Sequence, residues 1–219
     1  MKISKTEENY LKVIFSILEK GKPSASTNAI SKKMQTSAAS VTDMVKRLAK
    51  KKLAIHESHK GVKLTKRGGQ IATMLLRKHR LWEVFLVDKL DFLWDEVHEI
   101  AEQLEHIHST ELIKRLDTFL GSPAFDPHGD PIPDEHGNFI KTEKKLLSQL
   151  NKSQSGVCVG VKESSPEYLQ YLDKKKISIG TKINVLGKEF FDGSMVIEVG
   201  RDQFFVSKKI ADNLYVQTT

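Results

Sequence analysis

Apolar residues recur at helical spacing in three successive segments at the start of the chain. They predict a first helix over residues 6–20, a second over residues 28–35 that begins at Thr27 or Asn28, and a third over residues 37–52. The following stretch, LAIHESHKGVKLT, alternates apolar and polar residues on both sides of its glycine, which predicts a β-hairpin. Two helices joined by a tight turn and followed by a hairpin are the pattern of a winged helix-turn-helix.

The apolar period stays helical in the middle of the chain and changes to two in its last third. One long helix is predicted over residues 65–90, whereas residues 121–139 are rich in Gly, Pro and Asp and predict a linker or a surface loop. The short apolar strands beyond them are separated by glycines and predict a small β-barrel. We therefore expect a mainly α chain with a winged helix-turn-helix domain (1–68), a helical domain (69–142) and a small C-terminal β-barrel (143–219).

Positive charge is concentrated at the start of the chain. Residues 1–80 contain 19 Lys and Arg against 5 Asp and Glu, whereas the whole chain of 219 residues has a net charge of +7. These basic residues are spread over several elements, which favours nucleic acid over a membrane surface as the partner. The sequence has no apolar run long enough to cross a bilayer and does not start as a signal peptide does, so we expect a cytoplasmic protein.

The third predicted helix is the candidate recognition helix. Its apolar residues face inward, which leaves small and hydroxylated residues at its start and basic residues near its end for DNA. Lysines of the hairpin can reach flanking phosphates. The predicted DNA contacts are Thr27, Ser37, Ala39, Ser40, Thr42, Asp43, Lys46, Arg47, Lys60 and Lys63. The alternative is a small helical domain that binds protein.

The segment VHEIAEQLEHIHS concentrates histidine and glutamate. In a helix each residue advances by about 100°, so His98, Glu102, Glu105 and His106 would fall within an arc of roughly 100° on one face. A solvated polar face is the alternative explanation. Between residues 81 and 113, however, the only Lys or Arg is Lys89, so local salt bridges do not explain these acids, whereas a bound cation would.

A second His and Glu pair stands on the preceding helix. His79 and Glu83 are spaced i and i+4 and therefore face the same way. Joined to the four residues of the later segment, they form a candidate two-metal constellation. The single cysteine, Cys158, excludes a cysteine-based zinc knuckle, so such a site would use oxygen and nitrogen ligands. A set of this kind suits Mn²⁺ or Fe²⁺.

A winged helix followed by RKHRLWEVFL, VHEIAEQLEHIHS and PHGDPIP resembles the diphtheria toxin repressor family of iron- and manganese-dependent repressors. The resemblance spans nearly the whole chain. It implies a repressor of metal homeostasis genes that binds palindromic operators as a homodimer when its corepressor metal is present. It also implies that the helical domain dimerises and binds metal, and that the C-terminal barrel is the SH3-like, FeoA-type domain of the longer members.

The resemblance also implies a distribution of metal ligands. His79, Glu83 and His98 match one of the family's sites, and Glu102, Glu105 and His106 match the other. The position of Glu102 carries a cysteine in the iron branch and a carboxylate in the manganese branch, so the resemblance favours Mn²⁺, with Fe²⁺ as the alternative. Zn²⁺ and other divalent ions are expected to substitute in vitro.

The resemblance implies three further ligands, and the chain departs from the family pattern at two positions. Asn9 stands at a ligand position of the first helix that carries Met in the iron branch and Asp in the manganese branch, and Lys12 replaces an acid that the manganese branch uses. A loop of the C-terminal domain can donate ligands to the His79 site in the longer members, which implies Glu163 and Glu167 here.

Two other functions compete with a metal-dependent repressor. A metal-dependent hydrolase is one, but HEIAE carries Glu102 where the HExxH metalloprotease motif needs a histidine, so we predict that the protein is not an enzyme. A metal-independent winged-helix regulator is the other, and it would leave the His and Glu segment unexplained.

Overall fold

The computed structural model describes residues 3–19, 21–57 and 61–218. The chain divides into two compact units. The first comprises Met1–His79, Gln103–Thr110 and Pro133–Phe139, and the second comprises Arg80–Glu102, Glu111–Ile132 and Ile140–Thr219. Helix α4 (Lys66–Leu90) is continuous and contributes residues to both.

The first unit begins with three helices, α1 (Lys5–Leu18), α2 (Thr27–Met34) and α3 (Ala38–Lys50). The hydroxyl of Ser26, rather than Thr27 or Asn28, accepts a hydrogen bond from the Ala29 amide and caps α2, which corrects the predicted start. Ser37 caps α3 through the Ser40 amide. The apolar face of α3 is buried as expected, through Val41, Met44, Val45 and Leu48.

The predicted hairpin consists of antiparallel strands β1 (Ala54–Glu57) and β2 (Gly61–Leu64). Val62 also exchanges two backbone hydrogen bonds of 2.9 Å with Ala25, which ties the hairpin to the segment before α2. The predicted tip, which includes the candidate DNA contact Lys60, lies outside the described residues. A helix-turn-helix followed by this hairpin is the winged arrangement expected from the sequence.

Most of helices α5 (Val97–Leu104) and α6 (Thr110–Phe119) lies in the second unit, whereas Gln103–Thr110, which includes the end of α5 and the first residue of α6, belongs to the first. The C-terminal part of the second unit is a six-stranded antiparallel sheet in the order β3-β8-β4-β5-β6-β7. The strands are β3 (Lys145–Leu146), β4 (Ser155–Val161), β5 (Lys182–Lys188), β6 (Met195–Val199), β7 (Asp202–Val206) and β8 (Leu214–Thr218), with helices α7 (Pro166–Lys174) and α8 (Lys208–Ala211) between them.

The mainly α chain with a small SH3-like antiparallel sheet at its C-terminus confirms the predicted fold class. The sheet encloses its own apolar core, in which Cys158 is fully buried as a small side chain. Among the described residues, no helix is long and apolar enough to span a membrane.

Two adjacent glycines at the start of α4 provide a test of packing in the winged domain. A Cβ on Gly68 would lie 1.9 Å from the Leu53 carbonyl oxygen, whereas a Cβ on Gly69 would meet nothing within 4 Å. Gly68→Ala is therefore expected to lower the free energy of unfolding by about 1–3 kcal/mol, and Gly69→Ala to raise it by about 0.5–1 kcal/mol. Urea unfolding measures both, and equal effects would contradict the packing described.

Candidate metal centre and nucleic-acid interface

Helix α4 carries two buried ligand-type side chains within an apolar segment. His79 and Glu83 are one turn apart and only 5% and 2% exposed. His98, on α5, lies with its Nδ1 atom 3.4 Å from an oxygen of Glu83. His79, Glu83 and His98 each offer a ligand atom, and these atoms all lie within 4.8 Å of one another. The structure thus brings together the three residues that the sequence placed in one site.

Glu83 also belongs to a second group, with Asp126 and His128, whose ligand atoms meet the same 4.8 Å distance. All three side chains are buried. The Nε2 atom of His128 lies 2.8 Å from the Trp94 carbonyl oxygen, to which it can only donate, so Nδ1 is the atom that faces Glu83, at 3.7 Å. We call Glu83, His79, His98, Asp126 and His128 the Glu83 centre.

The segment from Asp126 to Asp130 is folded into a turn that fixes these two additional side chains. Asp126 Oδ1 accepts hydrogen bonds from the backbone amides of His128 and Asp130. Gly129 has φ +80°, and a Cβ there would lie 2.1 Å from the Val159 carbonyl oxygen of β4. The amide of Val161 also donates to the His128 carbonyl oxygen, so β4 holds the turn in place.

The sequence analysis missed Asp126 and His128. The sequence predicts a linker or a surface loop over residues 121–139, whereas Asp126, His128, Gly129 and Ile132 are buried. The composition of this stretch argues against a helix but gives no sign of the strand that covers it. The motif PHGDPIP, which carries part of the family resemblance, contains His128.

Burial and charge shift the protonation of the Glu83 centre. Burial, together with the nearby Glu83 and Asp130 carboxylates, raises the pKa of Asp126 to about 7, although Arg80 opposes this rise. Burial alone would lower the pKa of His128, but Glu83 and Asp126 raise it to about 9. A proton on His128 therefore compensates part of the buried negative charge when no metal is bound.

Glu105 and His106 are placed differently from the prediction. Helix α5 ends at Leu104, so both residues lie in the turn that follows rather than on one long helical face. Glu105 is fully buried, and both of its oxygens accept hydrogen bonds from Lys12 Nζ, at 2.7 and 2.8 Å. The cation that the local sequence did not supply therefore comes from α1.

Glu105 and His106 also connect to a buried imidazole and a buried carboxylate. The Nδ1 atom of His79 lies 2.6 Å from Glu105 Oε2, and the Nδ1 atom of His106 lies 2.6 Å from Glu8 Oε2. Burial opposes ionisation of Glu105, but His79 and Lys12 hold its pKa below the usual value. We call these residues, Glu8, Lys12, His79, Glu105 and His106, the Glu105 cluster.

The remaining predicted ligands lie apart from these buried groups or make other contacts. Glu102 is exposed, and its Oε1 atom lies 3.8 Å from His98 Nε2. The Asn9 Oδ1 atom is buried and has no hydrogen-bond partner in the part of the chain that the structure describes. Glu163 and Glu167 are exposed, one before α7 and one in its first turn.

The predicted DNA contacts on α3 form an exposed surface. Ala39, Ser40, Asp43, Lys46 and Arg47 are all exposed there. The Ser37 hydroxyl caps the helix, and the Thr42 hydroxyl donates to the Ala38 carbonyl oxygen. These local hydrogen bonds reduce the capacity of both hydroxyls to bond DNA bases. On either side, Thr27 is half-buried in α2 and Lys63 is exposed on β2.

A winged helix-turn-helix with an exposed basic recognition helix, accompanied by a centre of imidazoles and carboxylates in which His98 is exposed and the other members are buried, is the architecture of a metal-responsive DNA-binding regulator. Family profiles described as the iron dependent repressor N-terminal DNA binding domain, the iron dependent repressor metal binding and dimerisation domain, and the FeoA domain match residues 2–62, 65–134 and 145–218.

Individual proteins agree with these profiles. The diphtheria toxin repressor of Corynebacterium jeikeium (strain K411) is 30% identical over 182 residues, which cover 82% of this chain and 75% of that protein. A solved manganese-dependent transcriptional repressor in complex with manganese is similar with a TM-score of 0.87 and 31% identity, covering 97% of this chain and all of that one. The manganese regulator SloR has a TM-score of 0.77 and 34% identity, with both chains fully covered. The chain belongs to the iron-dependent repressor family, that of the diphtheria toxin repressor, and is a metal-dependent DNA-binding repressor.

Arg80 tests how strongly the buried charges of the Glu83 centre depend on compensation. Its guanidinium contacts Asp126 and Asp130, at 3.3 and 3.4 Å, and donates to the Pro131 carbonyl oxygen. Arg80→Met is expected to lower the free energy of unfolding in chelator by about 3–5 kcal/mol, because it leaves a buried charge unpaired.

Arg115→Met is the matched control, since the pair of Arg115 with Glu111 is largely exposed. Its loss should cost less than about 1 kcal/mol. Denaturant unfolding of both variants measures the difference, and a similar small loss at both positions would show that Asp126 does not need the guanidinium.

Proposed function

We propose that the Glu83 centre is the regulatory metal site and that it takes Mn²⁺ or Fe²⁺ as corepressor. The observation that carries the proposal is the convergence of three imidazoles on one buried carboxylate, Glu83, with Asp126 beside it. Imidazole and carboxylate donors without sulfur fit these two ions, and they also accept Zn²⁺ in vitro. Mn²⁺ is the first choice, with Fe²⁺ as the alternative.

The residues of the centre prepare it for a cation. His79 Nδ1 donates to Glu105, so Nε2 is the nitrogen of this ring that would bind a metal ion. His128 is likewise held by the Trp94 carbonyl oxygen, with Nδ1 towards Glu83. A divalent ion held by these residues would supply positive charge beside Glu83 and Asp126, and the proton on His128 would leave when it binds.

Metal binding would act on DNA through helix α4. This helix starts directly after the wing strand β2 and carries both His79 and Glu83. Fixing these side chains restricts the helix that continues from the winged domain. A coupling of about 1–3 kcal/mol between the metal and DNA is typical of such switches. We infer that the regulated genes serve metal homeostasis, and that the protein acts in the cytoplasm, where its DNA is.

A homodimer on a palindromic operator follows from an apolar surface of the second unit. Leu90, Leu93, Leu112 and Phe119 are large apolar side chains that remain exposed, with Phe119 at 63%. Phe119 also lies 6.4 Å from Phe85 between ring centroids. Exposed apolar patches of this kind are typical of protein interfaces. Two winged domains related by a two-fold axis require an operator with the same symmetry. We assign the protein no catalytic role.

The metal centre is tested by two histidines that occupy equivalent positions in two similar turns. In residues 134–138 the amides of His136 and Asn138 donate to Asp134 as those of His128 and Asp130 do to Asp126, but His136 is exposed. His128→Ala is expected to weaken metal-dependent DNA binding by about 100-fold or more, because loss of a direct ligand should cost more than loss of a residue that only positions a ligand. His136→Ala should behave as the wild type.

The measurement is fluorescence anisotropy of labelled upstream DNA at fixed salt, first in chelator and then with Mn²⁺, Fe²⁺ or Zn²⁺. Tight binding only with metal supports the switch and ranks the ions. Wild-type metal dependence in the His128→Ala variant contradicts the assignment of this residue. Equal wild-type affinity in chelator and in metal contradicts metal control altogether, and points to a metal-independent regulator.

The DNA surface is tested on α3. Arg47→Ala should weaken DNA binding and reduce the slope of log affinity against log salt by about one, because it removes one phosphate contact. Lys114→Ala is the control, since Lys114 is an exposed basic residue of α6. The salt titration is performed with saturating metal. An unchanged slope for Arg47→Ala, or an equal reduction for Lys114→Ala, would place the DNA surface elsewhere.

A further inference from the structure

The Glu105 cluster already contains a cation of its own. Lys12 Nζ bonds both oxygens of Glu105, and the Lys12 side chain is only 14% exposed. A chelating carboxylate would have to direct one of these oxygens to a metal ion. Here the position in front of both oxygens is taken by an ammonium group, which has no lone pair and cannot itself be a ligand.

The charges of the cluster balance without an imported ion. Its two buried carboxylates, Glu8 and Glu105, are accompanied by two lysines, Lys12 and Lys78. Burial lowers the pKa of Lys78, while its attraction to Glu8 and Glu105 opposes that change. Lys78 also donates to the Ile107 carbonyl oxygen at 3.2 Å. A divalent ion added here would bring excess positive charge into a buried and compensated group.

The Glu83 centre has the opposite balance. Its carboxylates, Glu83 and Asp126, face imidazoles and one guanidinium, Arg80, which is shared with Asp130. The Glu83 centre thus presents imidazole and carboxylate donors that fit a metal ion, whereas in the Glu105 cluster an ammonium group stands in front of both carboxylate oxygens.

We propose that Lys12 occupies the second metal position of this chain, so that each subunit takes one regulatory ion, and that Glu105 is a positioning residue for His79. The proposal rests on the function proposed above for the Glu83 centre. Glu105 fixes the imidazole because its Oε2 atom accepts from His79 Nδ1, and Lys12 fixes Glu105. The chain Lys12, Glu105, His79 thereby links α1 to the metal ligand.

Asn9 indicates that the second metal position still has potential ligands, although Lys12 blocks it. Its buried Oδ1 atom has no hydrogen-bond partner among the described residues and lies on α1, one turn before Lys12. Removal of the ammonium would leave Glu105 as a donor with His106, whose Nε2 atom lies 3.9 Å from Glu105 Oε1, and Asn9 on the helix of Lys12 would add an oxygen. Replacing Lys12 should therefore create a metal site, which an ordinary buried salt bridge would not do.

The first measurement is the Mn²⁺ stoichiometry of the purified full chain, by equilibrium dialysis with detection of free Mn²⁺ by electron paramagnetic resonance. The wild type should bind about one ion per chain, Glu83→Gln should bind none, and Glu105→Gln should still bind about one, with affinity weakened by about 10- to 100-fold as for an outer-shell change. An unchanged affinity would contradict the positioning role of Glu105.

Other outcomes separate the two proposals. If the wild type binds no Mn²⁺, the proposed function fails. If it binds two ions, of which Glu83→Gln removes one and Glu105→Gln the other, the metal centre stands and the role of Lys12 is overturned. This comparison does not depend on any substitution of Lys12 itself.

The second measurement uses Lys12→Gln. Without the ammonium group, the oxygen and nitrogen donors of the Glu105 cluster should bind a second Mn²⁺, which raises the stoichiometry to about two ions per chain. Lys51→Gln is the matched control. Lys51 pairs with the buried Glu7 at 2.8 Å in the same unit, and no histidine joins that pair among the described contacts. Two ions in both variants, or one in both, would contradict the proposal that Lys12 blocks a latent site.

Discussion

The cost of burying carboxylates is the physical constraint on which the rest of this structure depends. Glu8, Glu83, Glu105 and Asp126 are all buried, and an isolated buried charge costs several kcal/mol. Each must therefore meet a cation, a proton or hydrogen-bond donors. The contacts that meet this need come from α1, from α4 and from the turn before the C-terminal sheet, so compensation of charge determines how distant parts of the sequence meet.

The buried charges are compensated in two different ways, and each way suits a different role. Around Glu105 the cation is covalently part of the chain, because it is the side chain of Lys12. Around Glu83 the compensation comes from imidazoles, one of which, His128, is held by a backbone carbonyl and faces the carboxylate. The first arrangement is permanent, whereas the second would exchange a proton for an ion under the function proposed above. His79 belongs to both and carries the connection between them.

The secondary structure was largely predictable from the sequence because it depends on local patterns. The apolar face of α3, the cap at Ser37 and the long helix α4 all follow from spacing and from capping preferences. The end of α5 at Leu104 was not predicted, because Glu105 and His106 continue a plausible helical face and leave it only for partners on α1 and α4.

The buried site was predictable only in part. His79 and Glu83 could be predicted from their spacing on one helix face, and His98 from the segment rich in histidine and glutamate. In contrast, Lys12 and Glu105 are 93 residues apart in sequence, and Asp126 lies in a polar loop, so no local pattern indicates them. The turns at 126–130 and 134–138 share Asp, His and Gly at matching positions and have the same backbone hydrogen bonds to the aspartate, yet the first is largely buried and the second largely exposed. What distinguishes them is the approach of β4 to Gly129, which local composition does not contain.

A cation that is part of the chain cannot respond to the concentration of ions in its surroundings. If the ammonium of Lys12 fills the second position as proposed, only the Glu83 centre would exchange with free metal, and a single exchangeable ion would give one chain a graded, hyperbolic saturation curve. Any sharper threshold in the response must then arise between chains, from the joint engagement of two winged domains with one stretch of DNA.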